Sequence, residues 1–242
     1  MAFETSLASS DSVGDFIVEV ETLRAEDPAA ALLKLEQAPP GLARNPEVRL
    51  MRADVVWEHA GASEALPLLE ALVAAEPDYA NARHLLACVY DELGQEEAKT
   101  EQFLEVLKLD EGLDEELEGY DDRELAELIV EAAEGALEKL PEQFRRHLTG
   151  VPVLVEPRPS EALVREGLDP RALGLFEGPT HEQRQNAETS EVPTRIVLYA
   201  ANLLAESVDE QQLCAEVETT VLHEVGHYFG LDEEELLRAG LD

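Results

Sequence analysis

Residues 213–242 read LCAEVETTVLHEVGHYFGLDEEELLRAGLD, and the spacing inside this stretch decides how the C-terminal part of the chain is built. Leu213, Val217, Val221 and Val225 recur every fourth residue, which on a helix makes one apolar strip able to anchor on a core. Asp209 and Glu210 suit the N-terminus of that helix. Gly230 suits its end, because glycine adopts positive φ without a Cβ clash. The remaining side, Glu216, Thr220, His223 and His227, is expected to face a cleft.

His223-Glu224-Val225-Gly226-His227 fits the pattern HExxH. Residues four apart on an α-helix differ by about 40° around the axis and about 6 Å along it, so both imidazoles project from one side and can share a single ion. Zinc accepts such neutral nitrogen ligands at about 2.0–2.1 Å. Glu224 follows the first histidine by one residue, which turns it away from coordination yet keeps it close enough to take a proton from a water attacking a carbonyl. After Gly230 the chain turns back toward the same point. Glu233 is the expected third ligand, with Asp232 and Glu234 as alternatives in the same acidic run. All three also suit the N-terminus of a last helix over 234–239.

Working outward, residues 122–147 read as an amphipathic helix interrupted at Pro141, and residues 151–155, 173–176 and 195–199 as short strands. Helices before and after three strands predict an α+β domain over 122–242. The run Arg195–Tyr199, just after Pro193, resembles the strand that borders the cleft in zincins, and that resemblance implies an exposed edge able to pair with an extended peptide. Tyr199 and Tyr228 are read as packing residues, and His181, in the polar loop 178–191, as a loop residue of a segment that covers the site.

HEVGHYFGLDEEELLRAGLD, with RIVLYAANLL and LGLFEG before it, resembles the minimal zincins, a family of small proteins with an HExxHxxGxxD-type motif on a compact α/β domain. The likeness covers about residues 122–242. It implies zinc on His223 and His227, Glu224 as general base, and Glu233 in the family's aspartate position with a longer reach. It also implies a peptidase-like site acting on a peptide or protein substrate. Metzincins carry a third histidine and a methionine turn; here Glu233 stands in place of the histidine, and Met1 and Met51 are the only methionines.

From about residue 15 to 113 the chain is rich in Ala, Leu and Glu at helical spacing, with breaks at Asp27-Pro28, Pro39-Pro40-Gly41, Ala60-Gly61 and Leu93-Gly94. A period of 34 residues relates Pro46–Tyr79 to Ala80–Leu113, matching Ala53 with Ala87, Val56 with Tyr90 and Leu69 with Phe103. These positions, with Leu86, Gly94, Ala65 and Pro77, resemble tetratricopeptide repeats, although Gly61 falls one place late and Glu111 replaces the usual proline. The resemblance implies helical hairpins over 15–113 and a concave face able to hold a protein partner. The intervening DEGLDEELEGYDD, from Asp110 to Asp122, reads as a solvated acidic linker, placed at 114–121.

With 18 basic and 54 acidic residues the formal net charge is −36, which excludes a nucleic-acid binder. The acidity is divided between both halves, and 4 Lys against 14 Arg accords with solubility or a life in high salt. No apolar run approaches the length of a membrane span, and the first residues show neither a secretory nor a transit signal, so the expected location is the cytoplasm. Cys88 and Cys214 are expected as reduced core residues. Two functions fit: a zinc-dependent peptidase-like hydrolase with repeats that dock substrate or partner, or a non-enzymatic interaction protein whose zincin domain holds a regulatory or vestigial metal.

Overall fold

The computed structural model describes residues 10–116, 122–179 and 194–231. The protein is α+β and divides into two compact units, residues 1–113 and 114–242.

The N-terminal unit is helical: α1 (Ser10–Glu26), α2 (Pro28–Glu36), α3 (Pro40–Ala43), α4 (Pro46–Ala60), α5 (Ala62–Ala75), α6 (Ala80–Glu92) and α7 (Glu96–Glu116). The breaks are made by the residues that stand there. Asp27 Oδ1 accepts from the N–H of Ala29 at 3.0 Å and of Ala30 at 3.3 Å, and Pro28 occupies the first helical position, where a missing donor costs nothing. Asn45 and Pro46 do the same for α4, with Glu47 N–H at 2.8 Å. Gly61 alone joins α4 to α5.

Two apolar clusters hold these helices. Val13, Phe16, Val20, Leu35, Val48 and Val55 join α1, α2 and α4, while Ala53, Ala65, Leu69, Leu86 and Val89 join α4 to α6. Ala53 and Ala87, 34 positions apart, are both 0% exposed, so small side chains lie where helices approach. Lys99 Nζ is bonded to Asp91 at 2.7 Å and Glu96 at 2.6 Å, and these hydrogen bonds raise its pKa. The acidic stretch begins as helix, since α7 continues to Glu116.

The C-terminal unit contains α8 (Asp122–Lys139), α9 (Glu142–Leu148), β1 (Val153–Glu156), α10 (Glu161–Arg165), β2 (Gly174–Glu177), β3 (Arg195–Tyr199), α11 (Ala200–Ala205) and α12 (Glu210–Tyr228). Pro141 separates α8 from α9, as its lost N–H requires. The strand order is β1-β3-β2, with β1 parallel and β2 antiparallel to β3, so that Ile196 lies opposite both Val153 and Phe176. The expectation that Arg195–Tyr199 offers an exposed edge is therefore corrected. β3 is the middle strand, and Ile196, Val197, Leu198 and Tyr199 are all buried. An unbroken apolar run suits a strand covered on both faces and paired on both edges.

One core lies beneath the sheet face carrying Ile196 and Leu198. Leu125, Ile129, Ala133 and Ala136 of α8 meet the strip Leu213, Val217, Val221 and Val225 of α12 there. Lys139 also ties α8 to α12 through Glu218 at 2.7 Å. Cys88 and Cys214 are free thiols, half-buried rather than in the core. Among the described residues no helix is long and apolar enough to cross a membrane.

Candidate active site

Helix α12 is defined at both ends by its own sequence. Asp209 accepts from the N–H of Gln212 at 2.8 Å, capping the start. At the other end Gly230 takes φ +77°, Gly230 N–H donates to His227 O at 3.0 Å, and Leu231 N–H donates to Gly226 O at 3.1 Å. These two bonds form a Schellman motif, which closes the helix one turn after the motif and redirects the chain. Phe229, the last capping residue, packs on Phe144 of α9 with ring centroids 4.9 Å apart.

His223 and His227 lie one turn apart, both half-buried, with their Nε2 atoms 2.9 Å from each other and their rings at 87°. Two imidazole nitrogens converging in this way fit a shared ion. Tetrahedral ligands at about 2.0–2.1 Å from zinc stand about 3.3 Å apart, a separation small ring rotations reach from here. At 2.9 Å the two rings are themselves within hydrogen-bond distance, one nitrogen donating and the other accepting. The donor set is the one zinc prefers, neutral nitrogen.

Glu224 points elsewhere. Its Oε2 accepts the main-chain N–H of Phe176 at 2.7 Å, from β2. The reason is strand parity: Tyr199 N–H donates to Leu173 O at 2.9 Å, so the odd residues of this segment face β3 and the main-chain groups of Gly174 and Phe176 face the outer edge. The carboxylate is thus held at the outer edge of β2, which no described strand pairs, beside two histidines.

What lets α12 come this close is Gly174. A Cβ built there would lie 2.7 Å from Thr220 Cγ2, 3.2 Å from Val197 O and 3.3 Å from Leu198 Cδ2. Thr220 is 7% exposed, so the helix side expected to face a cleft is in part packed on β2, and only the turn after it carries the motif outward. Asn202, 2% exposed, donates to Pro170 O at 2.9 Å and Ala172 O at 2.7 Å, fastening the approach to β2 onto α11. Arg158 in turn bonds Asn202 Oδ1.

Sequence reasoning does not single out Gly174, Phe176 or Asn202, and it places Thr220 on the cleft side rather than against β2. A glycine inside a strand is a recognised sign of close approach, and Gly174 carried that signal. Phe176 carried none, because its contribution is main-chain. Tyr199 and Tyr228 are buried, as packing residues are, and Tyr228 lies against Phe176 with centroids 4.7 Å apart. The Tyr199 hydroxyl is buried with no hydrogen-bond partner among the described residues; burial first, then the carboxylates of Glu156, Glu177 and Glu224, push its pKa up. Asp232, Glu233, Glu234 and His181 lie outside the described residues.

Comparison with known families places a name beside this geometry. Residues 148–241 match the family model of zincin-like metallopeptidases. The matched stretch begins at the last residue of α9 and takes in the sheet, α12 and the chain after Gly230. No curated protein matches the chain. Over residues 148–241, then, the C-terminal unit is similar to zincin-like metallopeptidases.

Proposed function

We propose that the zincin-like domain is a zinc-dependent hydrolase of peptide bonds, with His223, His227 and Glu233 holding the ion and Glu224 moving the proton. The observation that carries this is the convergence of His223 and His227 Nε2 to 2.9 Å beside a carboxylate anchored on the sheet edge. Zinc, when bound, lowers the pKa of water and polarises a carbonyl. Glu224 accepts the proton of the attacking water and delivers it to the leaving nitrogen, so that hydroxide ends on the carbonyl carbon and hydrogen on the amine. The Phe176 N–H restrains Glu224 to one side of the histidine pair. An extended substrate runs along the outer edge of β2, where the main-chain groups of Gly174 and Phe176 point.

Residues 15–113 form the partner face of this enzyme, as tetratricopeptide-like hairpins that dock substrate or a protein partner, and residues 114–121 link them to the domain at 122–242. The burial of Ala53 and Ala87 at equivalent positions, and of Leu69 and Phe103, supports the repeat reading. Two free cysteines accord with a reducing compartment such as the cytoplasm.

Purified chain loaded with zinc is incubated with a peptide library and its products are read by mass spectrometry. The expected result is cleavage that stops with chelator, returns with zinc, and tracks about one zinc per chain. A zinc-replete chain that cleaves nothing, while still capturing a partner after His223→Ala, overturns hydrolysis in favour of an interaction protein.

A further inference from the structure

We infer that the outer edge of β1, beside α8, is a docking groove for an extended segment of a partner bearing basic side chains, separate from the histidine site and independent of hydrolysis. Pro152 O accepts the N–H of Ile196 at 3.0 Å, so the main-chain groups of Pro152, Leu154 and Glu156 face β3. By the two-residue period of a strand, the N–H and C=O groups of Val153 and Val155 point the other way. Among the described residues no strand pairs with β1 on that side.

A groove of about 450 Å³ opens there between β1 and α8. Its apolar wall is Ala126 and Val130 with the β1 valines, and its rim is Glu127, Glu131 and Glu134, all exposed. These glutamates are spaced four and three apart and so share one stripe of α8, while Leu125, Ile129, Ala133 and Ala136 turn into the core. Among the described residues Arg123 is the one cation lining the groove, and it is paired with Glu127 at 2.9 Å.

Three observations select the occupant. Outward main-chain donors and acceptors ask for an extended chain. The apolar wall beside a carboxylate stripe asks for alternating apolar and basic side chains, since successive residues of an added strand point to opposite faces. A second copy of this chain is disfavoured, because it would bring the same carboxylates and a net charge of −36. Nor is the edge guarded as free edges usually are: VLVE contains no lysine, and Pro152 turns its carbonyl inward.

The test uses the full chain and two blocked octapeptides, one alternating Val and Lys, the other Val and Glu. The Val–Lys peptide is expected to bind with an affinity that falls with salt, and to slow amide exchange in the segment holding Val153 and Val155; the Val–Glu peptide is expected to do neither. Glu127→Lys/Glu131→Lys/Glu134→Lys, and the milder triple change to Gln, should weaken binding by about tenfold or more. The same number of reversals on α7, at Glu96, Glu97 and Glu101, and the variant His223→Ala should leave it unchanged. Equal loss from the α7 reversals would show general attraction to an acidic chain and overturn the groove. So would binding without protection of the 153–155 amides, or sedimentation showing a dimer whose contacts protect that edge.

Discussion

The two units of this protein are held together over different distances along the chain, and that difference decides what each tolerates. In the N-terminal unit the decisive contacts join neighbours: α4 and α5 are linked by Gly61 alone, and Asp27 and Asn45 cap helices two and three residues ahead. In the C-terminal unit they join strangers. Phe176 and Glu224 are 48 residues apart, Lys139 and Glu218 are 79 apart, and β1 meets β3 across the stretch of chain that holds α10 and β2. A helical array can lose one contact and keep its form, because each layer leans on the next. The site depends on single juxtapositions with no duplicate.

The sharpest way to break this contrast is Glu224→Gln. The amide still accepts from Phe176 N–H, so the fold and metal content should persist, while hydrolysis falls by about 10²–10⁴-fold, the usual worth of a positioned proton acceptor. Equal activity would remove Glu224 from its role. Leu69→Ala comes next: a fully buried leucine in the N-terminal unit should lose about 2–5 kcal/mol by denaturant unfolding, with cleavage of a short library peptide retained. Loss of that cleavage together with the N-terminal unit would show that the site needs the helices, contrary to the comparison.

Gly174→Ala should cost about 1–3 kcal/mol, because the new methyl meets Thr220 on a stiff β-branched side chain and the carbonyl of Val197. Its effect on turnover should exceed its effect on stability, since α12 moves off β2 and Glu224 with it. Adding Thr220→Ala should restore both in part; an unchanged Gly174→Ala enzyme would mean that the close approach does not position the base. Smallest is Tyr199→Phe. Removing a buried hydroxyl without a partner should leave stability level or raise it by about 1 kcal/mol or less. The unfolded tyrosine ionises near its ordinary value of 10.0 while the folded one keeps its proton, so the stability this group contributes is intact below pH 10.0 and is lost as pH rises beyond it. Unfolding midpoints at neutral and alkaline pH should show a weaker alkaline loss in the phenylalanine variant.

Much of the architecture was legible residue by residue. The helix breaks at Asp27-Pro28, Ala60-Gly61 and Pro141 fall where proline and glycine demand them, the strip Leu213, Val217, Val221 and Val225 is buried as its period requires, and Gly230 closes α12. The strands were found, with two of them one or two residues early at the start. Their order was not. The likeness of RIVLY to the strand that borders a zincin cleft points to an edge, whereas its unbroken apolar character belongs to the centre, and the edges are VLVE and GLFE. The anchoring of Glu224 was invisible for another reason: the donor is a main-chain N–H, which every residue but proline owns.

Local rules act through the nearest few residues, so composition, caps and periodicity were enough to set the helices, their breaks and the one-turn spacing of His223 and His227. Strand order, the press of Thr220 on Gly174 and the bond from Phe176 to Glu224 arise only when segments distant in the chain are brought side by side. Burial and pairing, rather than any pattern along the chain, choose among the arrangements that the same short strands permit.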